Sequence, residues 1–439
     1  MAASTQRSAI SPRHLPSRAP FIRILLIALN LTAVTFFLLS FTRHGVALGP
    51  YRIDLDVYRL GSQTWLRHQP LYGVLLTTSA GSRLPFTYPP FAAVLLSPLA
   101  LVPMKVATTG FTLITIALTA VVLRMFLRSL TGTCTGSWLV VGCVLPVALF
   151  LEPVRNTLNY GQVNVTLMAL VTLDCLPATT RWPRGVLTGL AAATKLTPAG
   201  FVLFLLMRRG WRAAATAVAS FAVCTALGFL LAPADSARYW TSAILVVGRP
   251  TNAAYAGNQS ILAVLARAGL GPTTTTATAV WLALSAVVVL LTVCGMRRAF
   301  ASSRDVSSRD AWALSLNAFA ILLISPISWS HHWVWAETGL LVMAVLGWRH
   351  RKLAWLAMAA AGLADLAFAP QWLLPPGGHG WAWWQQVAGS SYVILAVVIL
   401  STAVLPGALS RRDQARSRIS ASAQTVPTPT AAPATVSVK

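Results

Sequence analysis

Asp54 and Asp56 stand two residues apart in the stretch YRIDLDVYRLGSQTWLRHQPLY (51–72), in a chain that has only 10 acidic residues. A hydroxyl nucleophile needs a carboxylate or imidazole within hydrogen-bond reach to take its proton, and an acid on a loop beside a membrane can do this for a sugar hydroxyl. The alternative is an ion pair of Asp54 or Asp56 with Arg52 or Arg59 on a solvated loop, with no chemical role. Lys195, in AATKLTPAG, poses the opposite problem. It stands near the middle of an apolar run, 185–207, where an unpaired charge costs on the order of 3 kcal/mol. That depth is too great for snorkelling, and a buried cation suits an anion such as a phosphate.

Three further stretches carry polar groups between apolar runs. EPVRNTLNYGQVN (152–164) places Glu152, Arg155, Asn159, Gln162 and Asn164 close to membrane depth, where polar groups must face a cavity or each other. It either closes on itself through a Glu152–Arg155 pair or lines a polar substrate cavity. YAGNQS (255–260) supplies Asn258 and Gln259, and SPISWSHHWVW (325–335) supplies Trp329, His331 and His332. Adjacent histidines point in different directions on a helix or a strand, so at most one faces a given site. The pair has no third ligand at metal-binding spacing, and no HxxxH or HExxH occurs. Trp372, Trp381, Trp383 and Trp384 read as an interfacial belt, although aromatic rings also stack on sugars.

The elements that must position these groups are membrane spans. The chain has 439 residues, is 56% hydrophobic and only 10% charged, with a mean hydropathy of +0.67. That composition describes a polytopic all-α membrane protein and excludes a soluble enzyme of this size. The 34 basic residues against 10 acidic ones give a net charge of +24. They fall in short runs between apolar spans, as loops facing anionic lipid require, which argues against nucleic acid as a partner. The five cysteines are scattered and read as small hydrophobes. No GxGxxG, Walker A or CxxC is present, so a nucleotide-dependent reaction has no visible machinery.

Residues 1–20 read as a disordered cytoplasmic leader, Phe21–Phe41 as a retained signal anchor, and 408–439 as a disordered cytoplasmic tail. Between them, 21–407 reads as one transmembrane domain. Further spans are expected at 89–103, 106–127, 137–151, 163–176, 185–207, 212–232, 273–294, 311–325, 332–347, 353–369 and 388–407, about twelve in all. Positive charge puts both termini inside, and 42–86, 233–272, 325–332 and 370–387 together on the extracytoplasmic face of the cell membrane. Arg181 and Arg184 fall on the wrong side of this count, so one helix of the 137–176 region is expected to be broken or re-entrant.

Taken together, DLDVY (54–58), HQPLYG (68–73), FTYPP (86–90), SPLALVP (97–103), EPVRNTLNYGQVN (152–164), TKLTP (194–198), GNQS (257–260) and SPISWSHHWVW (325–335) resemble glycosyltransferase family 87. These are membrane-embedded mannosyltransferases that use polyprenyl phosphate mannose. The resemblance covers about 21–407. It implies a GT-C architecture in which a long first extracytoplasmic loop carries the catalytic acid beside a membrane-embedded cavity. The family's acid, the first of its D-x-x-V-Y motif, corresponds to Asp54.

The implied reaction passes mannose, with inversion, to the 2-hydroxyl of a mannosyl residue on a glycolipid. The acceptor is a phosphatidylinositol mannoside or, by the same chemistry, lipomannan or lipoarabinomannan. Asp54 is then the general base, with His331 or His332 as donor or orienter. Asp56, Tyr58, Tyr88, Arg155, Asn159, Gln162, Asn164, Lys195, Asn258, Gln259 and Trp329 are expected to bind substrate, the cations among them meeting the leaving phosphate. No cofactor or metal is implied, because the leaving group carries its own phosphate. A flippase for lipid-linked sugar is the rival from another class, weakened by the lack of an internal repeat. A non-catalytic scaffold is the third reading, in which Asp54 and Lys195 could be replaced freely.

Overall fold

The computed structural model describes residues 24, 27–32, 35, 51–132, 137–247, 253–302 and 305–405. The expected leader, most of the expected anchor and the tail lie outside the described residues. The described chain is overwhelmingly helical, with one two-stranded hairpin, Leu76–Thr77 against Arg83–Leu84.

Four helices are long and apolar enough to cross a membrane: Met104–Thr131, Trp211–Leu231, Thr275–Ala301 and Leu353–Leu373. Two bent pairs raise this to six, Trp138–Phe150 with Glu152–Tyr160 (72°) and Trp383–Gly389 with Ser391–Val404 (69°). The protein is therefore a multi-pass, mainly helical membrane protein. Around a core containing Trp312, Phe319 and Trp333 pack Val306–Ile324, Val334–Arg349 and their neighbours.

Contacts at helix ends sort the elements into two ends of the molecule. At one end, Arg349 donates to the Leu130 carbonyl, Ser308 Oγ donates to the Ser129 carbonyl, and Arg208 pairs with Asp310 at 3.0 Å. At the other end, Arg59 donates to the carbonyls of Leu99 and Val102, Trp65 Nε1 donates to Leu231 O, and the Leu71 amide meets Asp235. The 51–103 region thus lies wholly at this second end.

Two expected spans are not single continuous helices. Residues 89–103 form two short helices, Pro90–Leu95 and Ser97–Ala100. Prolines at 89, 90, 98 and 103 open or end each piece, leaving neither long enough for a bilayer. Both pack on the Ile53–Leu66 helix, where Ser62 Oγ bonds the Ala93 carbonyl at 2.8 Å.

Residues 185–207 fold back on themselves. The helix Val186–Thr194 stops at Lys195, whose backbone is extended (φ −149°, ψ 127°), and a 3-10 turn Thr197–Phe201 leads into Val202–Met207. Arg184 and Arg208, which flank this segment, both donate to the carbonyl of Cys175, at 3.0 and 2.8 Å. The two ends therefore share one face and Lys195 is the tip. The outgoing helix is seated by small residues, since a Cβ on Gly189 would sit 2.3 Å from the Ala217 carbonyl oxygen of the neighbouring helix. The helix start is fixed by Asp174, which accepts from the Gly185 and Thr188 amides and from Thr188 Oγ1.

Candidate active site

The Ile53–Leu66 helix begins at the second end of the molecule with both acids in its first turn. A helical residue and the one two positions on do not share a face, and the carboxylates part accordingly. Asp54 Oδ2 accepts from Gln162 Nε2 at 2.7 Å. Asp56 accepts from the Ser79 amide at 2.7 Å and so holds the hairpin loop. Neither forms the ion pair weighed from sequence: Arg59 serves the two carbonyls named above, Arg52 donates to Asn159 O, and the ion pairs among the described residues lie elsewhere.

Gln162 reaches Asp54 because Gly161 ends the Glu152–Tyr160 helix in the left-handed region (φ 71°). A Cβ there would lie 2.8 Å from the Leu55 Cβ, so glycine serves both the turn and the close approach to the acid-bearing helix. Gln162 Oε1 accepts from Tyr58 Oη at 2.7 Å and Tyr88 Oη at 3.2 Å, and the two phenols lie 2.9 Å apart. Across the Tyr88 ring, at 5.5 Å from its centroid, stands Lys195 Nζ. Lys195 donates to Asn164 Oδ1 at 3.0 Å and lies 3.1 Å from His332 Nε2. A continuous chain of side chains thus joins the carboxylate to the lysine.

Two cavities open on either side of this chain. The first, about 200 Å³, is lined by Asp54, Tyr160, Tyr255, Trp329, His331 and Trp372 among others. The second, about 40 Å³, has Lys195, Asn164, Ser328 and His332 at its polar end and apolar walls that include Leu167, Phe201 and Trp335. The adjacent histidines, on the 3-10 turn Ser330–Trp333, part as expected: His331 faces the acid cavity and His332 the lysine cavity. Asn164 Nδ2 (2.8 Å) and Thr157 Oγ1 (2.9 Å) both donate to the His331 carbonyl and pin the turn.

Burial pushes the Asp54 carboxyl up to about 6, against the Gln162 hydrogen bond and the Lys195 charge, which both favour its ionised form. Burial, followed by the Lys195 charge, holds both imidazoles well below their usual range, so they are neutral at pH 7. His331 Nε2 is buried and has no hydrogen-bond partner among the described residues. Among the described residues no group of three or more His, Cys, Asp or Glu could hold a metal ion.

Sequence candidates outside both cavities have other surroundings. Arg155 does not pair with Glu152; its guanidinium lies over the Phe150 ring and reaches the Phe150 carbonyl at 3.5 Å. Asn159 makes a 3.5 Å contact with Asn156. Asn258 and Gln259 are fully buried, and their amides bond backbone at Ala253, Pro326 and Ser328, and at Ala256 and Gly389. They join the 253–260 and 325–330 loops, with Asn258 bridging Trp329 in an isolated antiparallel pair.

Sequence reasoning missed Tyr160, Tyr255, Ser330 and Trp372 as cavity walls. Trp372 and Trp381 turn inward rather than forming a belt, with indole N–H groups bonded to Glu152 and to Pro375 O, while Trp383 and Trp384 remain exposed. The signal available was the scarcity of acids: a buried Glu152 needs donors, and indoles are donors.

The model of glycosyltransferase family 87 matches residues 86–326. The chain is 42% identical over 385 residues to the polyprenol-phosphate-mannose-dependent alpha-(1-2)-phosphatidylinositol mannoside mannosyltransferase of Mycobacterium tuberculosis, covering 82% of this chain and 88% of the relative. It is 40% identical to the protein of the same name from Mycolicibacterium smegmatis, covering 80% and 83%. A Mycobacterium tuberculosis enzyme named for the pentamannoside is 31% identical, covering 79% and 80%. No solved structure matches the chain. The matched region includes Tyr88, Gln162 and Lys195 and begins after Asp54, and with relatives at 42% and 40% identity over about four fifths of the chain the protein belongs to glycosyltransferase family 87.

Proposed function

We propose that the protein transfers mannose from polyprenyl phosphate mannose to the 2-hydroxyl of a mannosyl residue on a phosphatidylinositol mannoside, forming an α-1,2 linkage. The substrates are those named for the relatives at 42% and 40% identity, which do not favour lipomannan branching. The single observation that carries the reading is the Asp54–Gln162–Tyr88–Lys195 chain, which sets a base and a cation on two sides of one partition.

Inversion at an anomeric carbon requires attack and departure on opposite faces. Asp54 removes the proton of the acceptor 2-hydroxyl as that oxygen bonds the anomeric carbon. The bond from that carbon to the phosphate oxygen breaks, and the electron pair leaves on polyprenyl phosphate. Lys195 stabilises the charge that develops there, with the neutral His332 beside it. The apolar walls of the lysine cavity suit the first isoprenoid carbons, so the donor enters from the bilayer. His331, neutral and with a free ring nitrogen, meets the acceptor sugar in the other cavity with Trp329. No metal or cofactor is assigned a part, since the donor carries its own activated phosphate.

In the membrane, the architecture is of the GT-C type with the acid-bearing 42–103 region extracytoplasmic and both termini cytoplasmic. With 89–103 on the surface and 185–207 re-entrant, ten crossings replace the expected twelve. Arg181 and Arg184 then share the cytoplasmic face with Arg208, Arg209 and Arg212, in accord with the positive-inside rule. The test is purified protein in liposomes with polyprenyl phosphate mannose and phosphatidylinositol mannosides of graded length. An α-1,2-mannosylated product is expected; donor movement across the bilayer without a new glycosidic bond would sink the reading in favour of a flippase.

A further inference from the structure

Glu152 is fully buried, forms no ion pair among the described residues, and accepts four hydrogen bonds. Asn156 Nδ2 (2.6 Å), Ser330 Oγ (2.6 Å) and Trp372 Nε1 (2.7 Å) converge on Oε1, while Tyr392 Oη meets Oε2 at 2.9 Å. Three of the donors come from segments remote in sequence. A buried carboxylate without a cation is costly, and only a full set of donors makes it tolerable. Two of these donors, Ser330 and Trp372, line the acid cavity.

The surroundings of Trp372 show what the carboxylate holds in place. Gly257 leaves room for the indole, since a Cβ there would lie 2.8 Å from its Cη2. Tyr255 stands edge-on to both Trp372 and Trp329, with ring centroids 6.0 and 5.9 Å apart. Trp372 is only half-buried, so part of the ring borders the cavity that Asp54 opens into. With its N–H bonded to Glu152 Oε1 at 2.7 Å, the indole is held in this orientation. A fixed aromatic face with an open side takes the C–H face of a pyranose, whose partly positive hydrogens meet the negative π-cloud.

We propose that Glu152 is a positioning residue for the acceptor: through the indole N–H it fixes Trp372 as the platform on which the acceptor mannosyl ring stacks beside Asp54. This rests on the mannosyl-transfer reading above. Glu152 touches no substrate; it acts through Trp372.

The experiment measures transfer kinetics and, separately, binding of a fluorescent mannoside glycolipid to purified protein in detergent. Glu152→Gln keeps the shape but puts an NH2 donor where one of two accepting oxygens stood; Trp372→Phe keeps a ring but loses the N–H. Each is expected to raise the acceptor KM about tenfold, the worth of one buried hydrogen bond, with the donor KM unchanged. The double variant is expected to be no worse than the poorer single, because both cut the same link. Trp372→Ala should lose mannoside binding. Multiplying effects in the double variant, or an acceptor KM that stays at the wild-type value, would overturn the proposal, as would retained mannoside binding by Trp372→Ala. If the wild-type protein binds the mannoside but transfers nothing, the functional reading falls. Loss of binding in Trp372→Ala would then still support the platform.

Discussion

The two cavities meet at adjacent histidines yet are built from opposite materials. The acid cavity is made of loops and helix starts, with aromatic walls and one carboxylate. The lysine cavity is made of apolar helices and the Thr197–Phe201 turn, with apolar walls and one ammonium. On the proposed function the contrast matches a substrate half to each: a sugar hydroxyl needs a base and ring faces, and a lipid phosphate needs a cation and an apolar channel. The His331–His332 turn, pinned by Asn164 and Thr157, divides them, while Gln162 and Tyr88 join them.

Substitutions that damage one cavity alone test this division. The largest effect is expected for Asp54→Asn, which removes the proposed base: about a thousand-fold loss of kcat with thermal stability retained, read in single-turnover assays at saturating donor and acceptor. Next comes Lys195→Met, expected to cost about a hundred-fold in kcat/KM for the donor and to leave acceptor binding in place. The histidines are expected to separate the two halves more gently. His331→Gln should raise the acceptor KM and His332→Gln the donor KM, each about tenfold. Equal effects of both on both substrates would mean that the turn acts as one structural unit. The smallest effect is expected for Asp56→Asn, which loosens the hairpin loop at Ser79 and lowers activity by about threefold or less.

Much of this site was legible in residue types. Scarce acids and a lysine at membrane depth identify themselves, because each is costly to bury without a partner. The period of a 3-10 or α-helix says that neighbouring histidines diverge. Arg181 and Arg184, on the wrong side of the sequence count, pointed to a broken helix in the 137–176 region. One bent helix pair does lie there, at Phe150 and Glu152. The fold-back at Lys195 was invisible because hydropathy counts apolar residues and not direction: 185–207 is long enough to cross, and only the shared Cys175 carbonyl shows that it returns. The loop amides misled for a related reason. Asn258 and Gln259 look free for substrate in sequence, but two buried loops need their backbone groups satisfied, and these side chains do it.

The coupling of the two cavities is accessible to a pH profile. Asp54 acts as a base only when ionised, and burial places its carboxyl at about 6, so kcat/KM is expected to fall as pH drops through 6. The donor phosphodiester does not titrate in that range. Lys195 and the Gln162 hydrogen bond both favour the ionised carboxylate, so Lys195→Met and Gln162→Leu must raise its pKa and move the acidic limb to higher pH. The decisive measurement is the kcat/KM profile from pH 5 to 8 for wild type and Lys195→Met. A limb near 6 that shifts upward in the variant is expected. A wild-type profile flat through that range, or a limb that Lys195→Met leaves in place, would contradict a base in one cavity working against a cation in the other.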